Sequence, residues 1–401
     1  MATRAATPRT LLRGGPFNHN RFRGREQKSI FIGFVIFAFL YPLLDKAFGF
    51  GLLGAFMGIF VYVILAMGLN VVVGYAGLLD LGYAAFFAIG AYTIGFLTSP
   101  GSYFIKQGWV PGWMQNFWVA MLCGWVVAAI FGVILGAPTL RLRGDYLAIV
   151  TLGFGEIVPN FFLNGGSISG GVNGLNPIAK PPTIPLPFVG DLTFGATDQR
   201  NWFWLMLVIG LLTLFLILRF YNSRLGRTWV AIREDEIAAA SMGVNLVRTK
   251  LWAFALGASF SGFAGAVYAS AFQYVSPSAF EFSVSITILA MVILGGIGNV
   301  YGVILGALLI GAFDRILAEK LNGPLHWIGE TFGWDAVTDH NLAQDRFLIF
   351  GLALVVMMLL RPGGLLPNVR RESEIEEPGG DVAGDLQHAR SMADVREEEP
   401  V

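Results

Sequence analysis

Ten apolar runs, each near the length that crosses a bilayer, constrain this chain more than any motif. They lie at about 29–45, 50–70, 80–98, 116–138, 146–164, 202–220, 249–272, 283–298, 299–316 and 346–362; crossing the hydrocarbon takes about 17–25 such residues. Lipid offers backbone N–H and C=O groups no water, so runs of this kind satisfy their own hydrogen bonds as helices. Composition agrees, with 13% charged residues where soluble proteins carry about 25%. The expectation is an all-α polytopic membrane protein of about ten transmembrane spans, with glycine-broken helices.

The net charge of zero conceals a segregation. Residues 1–28 hold seven Lys or Arg against one Glu, and residues 367–401 hold ten acids against four bases. Both read as solvated, disordered tails flanking a membrane domain at 29–366. The first apolar run follows a basic stretch and lacks a small-residue cleavage site, so it reads as a retained span. Positive loops stay inside. Starting with the basic tail inside, alternation puts Arg141–Asp145, the 219–250 loop and Arg361–Arg371 on the cytoplasmic face, with both termini. The longer loops 99–115, 165–201 and 317–345 then fall outside, with few bases for their length.

Two regions are more than plain spans. Gly68–Tyr92 carries Gly68, Gly74, Gly77, Gly82 and Gly90 together with Asp80. Such glycines let helices approach closely or let backbone unwind beside a cavity. Asp80 is either a helix-end cap near an interface or a pathway residue, because a carboxylate at membrane depth is costly without protein, water or a partner. Glu156 lies near the middle of the fifth run. It is either a lock between helices, which its glycine neighbours favour, or a gate in a conduction route. Gly74, Gly77, Asp80 and Glu156 are the candidate path residues.

Between the sixth and seventh runs lies a polar island, Arg219 to Lys250. Within it Glu234, Asp235 and Glu236 open an alanine-rich segment that Gly243 closes, the signature of a short helix with a favourable dipole and a left-handed stop. Such an element either docks a partner or lies on the headgroups as an amphipathic connector. On the opposite face, Ser167–Leu175 contains Gly170, Gly171, Asn173 and Gly174, turn-forming residues that lead into a proline-rich stretch. That segment is either a contact for an external partner or a linker.

No catalytic constellation is present: there is no Walker-type phosphate loop and no Gly-x-Ser-x-Gly elbow. The four His at 19, 326, 340 and 388 are scattered, so no metal site is expected, and the lone Cys123 excludes an internal disulfide. The glycine run Val292–Gly302 sits between two spans without the strand that a dinucleotide fingerprint requires. Nucleotide chemistry, if used, belongs to another chain. A proton- or sodium-driven carrier using Asp80 and Glu156 as ion ligands, and a membrane scaffold binding partners through the 219–250 loop, are the rival classes.

Gly68–Tyr92, the run Leu140–Val158, the Arg233–Ala238 loop, Val275-Ser276-Pro277 and the closing Arg361–Pro367 together resemble the LivM-type permease of branched-chain amino acid ABC importers. The blocks stand in the family's order and cover about residues 50–367. The resemblance implies the ABC importer permease fold and import of Leu, Ile or Val; relatives of this architecture take urea, short amides or other neutral amino acids. It further implies a homologous LivH-type permease as partner, two ABC ATPase subunits inside and an extracytoplasmic solute-binding protein, in a bacterial cytoplasmic membrane. No cofactor is then bound directly, ATP-Mg sitting on the partner subunits, and no nucleic acid is involved. Coupling to the ATPases falls to Arg233, Glu234, Asp235, Glu236, Ala238 and Gly243, and binding-protein contact to Gly170, Gly171, Asn173 and Gly174. Val172 stands where the family has proline.

Overall fold

The computed structural model describes most of residues 33–45, residue 49, and residues 51–139, 145–186, 190–195, 198–318, 320, 345–361 and 363–366. Both charged tails, Arg141–Gly144 and most of the 317–345 loop lie outside the described residues. Tyr41–Asn368 forms one unit. Its helices are α1 (Leu53–Leu69), α2 (Tyr83–Thr98), α3 (Phe117–Thr139), α4 (Asp145–Asn164), α5 (Gln199–Tyr221), α6 (Arg224–Glu234), α7 (Glu236–Ser241), α8 (Leu246–Phe272), α9 (Phe282–Gly295), α10 (Val300–Ala312) and α11 (Arg346–Leu360).

Eight helical segments among the described residues are long and apolar enough to cross a membrane, and α11, at 15 residues, is a shorter apolar helix. Described positions from residue 33 to 45 are also helical. These accommodate the ten expected runs, with altered ends. The second run extends past residue 70 as a π-helical turn, Asn70–Tyr75, and the third begins only at Tyr83. Among the described residues the named elements are helical apart from one ribbon, β1 (Ile184–Leu186) antiparallel to β2 (Gly190–Leu192), in the 165–201 loop. Pro185 is tolerated there because both strands of a two-stranded ribbon are edges.

At the centre stands α8, packed on α1, α2 and α3. Its small residues let backbones meet: a Cβ on Gly90 of α2 would lie 2.0 Å from the carbonyl oxygen of Gly262 on α8. A Cβ on Gly262 would in turn lie 2.2 Å from that of Ala128 on α3. In lipid, where apolar side chains gain nothing by leaving water, such close packing is a main source of helix association. Wider helices would separate this three-helix core.

The turn joining α9 to α10 receives the end of the described chain. Leu365 and Leu366 N–H groups donate to the carbonyls of Leu294 (2.9 Å) and Gly295 (3.1 Å), and Asn299 Nδ2 donates to Leu366 O at 3.1 Å. Gly298 N–H donates to Asn70 Oδ1 at 2.9 Å. Leu365 and Leu366 of the closing sequence motif thus sit at the end of the bundle where α1 unwinds.

Candidate coupling elbow and path residues

Between α5 and α8 the chain makes a rigid elbow. Ser223 caps α6, its Oγ accepting from Gly226 N–H at 3.3 Å. The amphipathic α6 buries Gly226, Trp229 and Ile232, and Trp229 Nε1 donates to Thr249 O at 2.8 Å. Asp235 is extended (φ −151°) and separates the two short helices, its Oδ1 accepting from Ile237 N–H (2.8 Å) and Ala238 N–H (3.0 Å). Gly243 follows α7 with φ +84°, a left-handed turn that lets the chain re-enter the bundle. Asn245 Oδ1 then caps α8 through Arg248 N–H at 3.0 Å.

The short capped helix expected from the sequence is therefore present, with one correction. Glu234 closes α6 instead of opening α7. Two of the three acids also bond within the elbow: Asp235 through the cap and Glu236 with Lys250 Nζ at 2.6 Å. That ammonium is 7% exposed and its carboxylate 31%. Beside the exposed Glu234 and Asp235 the elbow presents an apolar knob, with Ile237 at 72% and Met242 at 85% exposure next to exposed Ala238. Sequence reasoning passed over this knob because isolated Ile and Met carry no polar signature.

The elbow is bolted to the break between α1 and α2. The Arg233 guanidinium donates to the carbonyl of Gly74. Gly77, at φ +69°, lies so close that a Cβ would meet Arg233 Cγ at 2.9 Å. Arg233, Gly74 and Gly77, named for different roles, thus form one contact. Two more backbone groups at the break are satisfied from neighbouring helices, the support that irregular backbone in a membrane domain needs. Leu81 N–H donates to Thr151 Oγ1 at 3.0 Å and Ala84 N–H to Ser285 Oγ at 2.9 Å.

Asp80 is buried, and its Oδ1 accepts from Gly82 N–H at 2.9 Å, a two-residue turn just ahead of α2; Gly82 holds the N-cap position of α2 and no side chain caps that helix end, so the helix-end cap anticipated as one of two alternatives is not formed. Its Oδ2 and the Nδ2 of Asn70 are both buried without a protein partner among the described residues. Glu156 is elsewhere. The close helix approach expected of its neighbourhood is made by Gly155, whose Cβ would lie 2.9 Å from Gly82 Cα. Glu156 itself points away, exposed on the outer face of α4, so it makes no lock with another helix among the described residues.

At the bundle end opposite the elbow, Gly170, Gly171 and Gly174 all have positive φ around a 3-10 turn at Gly171–Asn173. The turn is tied down by Leu175 N–H donating to Val275 O at 2.9 Å and by Ser169 Oγ–H donating to Phe162 O. It presents Val172 at 75% exposure. The four expected contact residues are therefore gathered on one anchored turn.

No solved structure matches the chain. Residues 51–328 match the family described as branched-chain amino acid transport system / permease component. The chain is 40% identical over 331 residues to the high-affinity branched-chain amino acid transport system permease protein LivM of Salmonella typhimurium LT2, covering 79% of this chain and 70% of that one. It is 38% identical over 366 residues to LivM of Escherichia coli K12, with 88% and 77% covered. The LivH permease of Salmonella typhimurium LT2 is similar at 22% identity over 277 residues, 65% of this chain and 83% of that one. The matched region contains the elbow, the broken segment and the anchored turn, and the chain belongs to the branched-chain amino acid transport permease family, as a multi-pass membrane member of it.

Proposed function

We propose that the chain is one of two homologous permeases in an ATP-driven importer of Leu, Ile and Val, with a LivH-type protein as the other. Two ABC ATPases engage the elbow from the cytoplasm, and a solute-binding protein delivers cargo to the Gly170–Gly174 turn outside. The observation that carries this reading is the contact of Arg233 with Gly74 and Gly77. Movement of the elbow is passed straight to the break between α1 and α2, a segment already held by side chains instead of a continuous helical ladder. Rigid-body shifts of that kind are how a nucleotide-driven clamp is converted into alternating access.

The surface offered to an ATPase is the Ile237 and Met242 knob on α7 and its C-terminal turn. Exposed apolar side chains on a polar face are the usual anchors of a docking site. Asp235, itself exposed, and Glu236 hold the knob in place through the cap and the Lys250 pair. No ATP or metal site is required of this chain.

The test is reconstitution of the chain with its partner permease, ATPases and binding protein in liposomes, followed by labelled leucine uptake. Uptake is expected only with ATP and all partners. Arg233→Ala is expected to keep ATP hydrolysis while losing most uptake, because the motor no longer grips the broken segment. Transport by the purified chain without ATPases would replace this reading with the ion-coupled carrier.

A further inference from the structure

The outer face of α4 carries a polar ladder that packing within this chain leaves uncovered. Glu156, Asn160 and Asn164 recur at intervals of four, so they stack on one face, and all three are exposed. Beside them Ile157 and Phe161 are 66% and 69% exposed. These residues and Gly165 line an open groove of about 460 Å³. Asn160 Nδ2 donates to Glu156 O at 2.8 Å and Asn164 Nδ2 to Asn160 O at 2.9 Å, which fixes both carboxamides along the ladder.

Position makes the ladder informative. At 1.5 Å per residue Glu156 stands about 16 Å along α4 from Asp145 and about 12 Å short of Asn164. The upper end meets the anchored turn: a Cβ on Gly165 would lie 2.5 Å from Ser169 Oγ, and one on Gly171 would lie 3.4 Å from Leu163 O. Towards the elbow end the same outer face turns apolar, with Tyr146 at 70% and Ile149 at 63% exposure. A carboxylate at that depth does not face hydrocarbon; it faces protein or a water-filled route. A row of polar groups running from the delivery turn to mid-span and stopping at a carboxylate is the wall of a route.

We propose that this groove is half of the cargo site. The Glu156 carboxylate receives the α-ammonium group of an amino acid, and Asn160 and Asn164 supply the polar lining. Ile157 and Phe161 cover its aliphatic side chain, and the partner permease completes the open side. Mostly apolar lining with a few placed polar groups is what a small amphiphilic ligand requires. A carboxylate is acceptor-only, and an ammonium donor bonds it more strongly than the neutral N–H groups of urea or short amides do, so it favours an amino acid over those cargoes. The proposal rests on the import reading above and specifies its cargo chemistry.

Leucine uptake by the reconstituted assembly, measured for Glu156→Gln and Glu156→Asp, tests it. Loss of a charge-assisted contact is expected to lower kcat/KM for Glu156→Gln by about ten- to a hundredfold, and Glu156→Asp is expected to recover part of it. Glu156→Gln at the parent rate, or Glu156→Asp as low as Glu156→Gln, would overturn the assignment. Should neither variant assemble, Asn160→Cys in a Cys123→Ala background is to be labelled with a hydrophilic maleimide. Leucine is expected to slow that labelling, and no effect of leucine would overturn the proposal. Absence of leucine uptake by the parent assembly would instead remove the import reading itself.

Discussion

Lys250 is the least exposed cation described in the elbow, and its ammonium has one acid beside it, Glu236 at 2.6 Å. An exposed ion pair contributes about 0.2–1 kcal/mol, whereas breaking a buried one costs about 3–5 kcal/mol. This pair lies between, since Glu236 is 31% exposed. Glu236→Lys places two ammonium groups together and is expected to loosen α7 from the start of α8, lowering both ATPase co-purification and ATP-driven uptake. The exchange Glu236→Lys with Lys250→Glu is expected to restore much of both. Equal loss in the single and double variants would show that Glu236 acts on the partner directly. The residue types at the elbow were legible in the sequence, because Asp235 before an alanine run and Gly243 after it obey local capping rules. Their division of labour was not: Lys250 is fourteen positions from Glu236, and no local rule pairs them.

Among the elements, α8 shows most clearly what periodicity conveys and what it omits. Its apolar length marks a span, yet its burial among α1, α2 and α3 depends on Gly262 meeting Gly90 and Ala128, contacts between segments far apart in the chain. Glycine density was visible; which glycines face which helix was not. The same limit explains α4, where Gly155 and Glu156 adjoin in sequence but one is buried against α2 and the other exposed. The π-helical turn at Asn70–Tyr75 was equally hidden, and the bond its Asn70 accepts comes from Gly298, far away in the chain. Gly90→Leu drives a branched side chain into the Gly262 backbone, and overpacking of this kind costs about 1–3 kcal/mol or more. The expected result is a lower melting temperature of the detergent-solubilised chain and less assembled transporter. Gly153→Leu, at a site with open space around its Cβ position, is expected to have little effect, and equal destabilisation by both would refute the packing argument.

Across the whole molecule, two surfaces at opposite ends of the bundle are joined by continuous structure. The elbow grips the break between α1 and α2 through Arg233. That break leans on α4 through Leu81 and Thr151, and α4 rises to the turn carrying Val172. An importer of this design needs the knob and the turn on opposite sides of the membrane, with the knob inside. Met242 and Val172, at 85% and 75% exposure, are suited to single-cysteine reporters in a Cys123→Ala background. In intact cells stripped of any outer barrier, Val172→Cys is expected to react with a membrane-impermeant maleimide, and Met242→Cys only after the membrane is opened. The reverse pattern would invert the molecule, bringing the basic tail outside and removing the elbow from any cytoplasmic motor. Reaction of both without permeabilisation would mean that the two surfaces share a side, and α4 would then not connect delivery to drive.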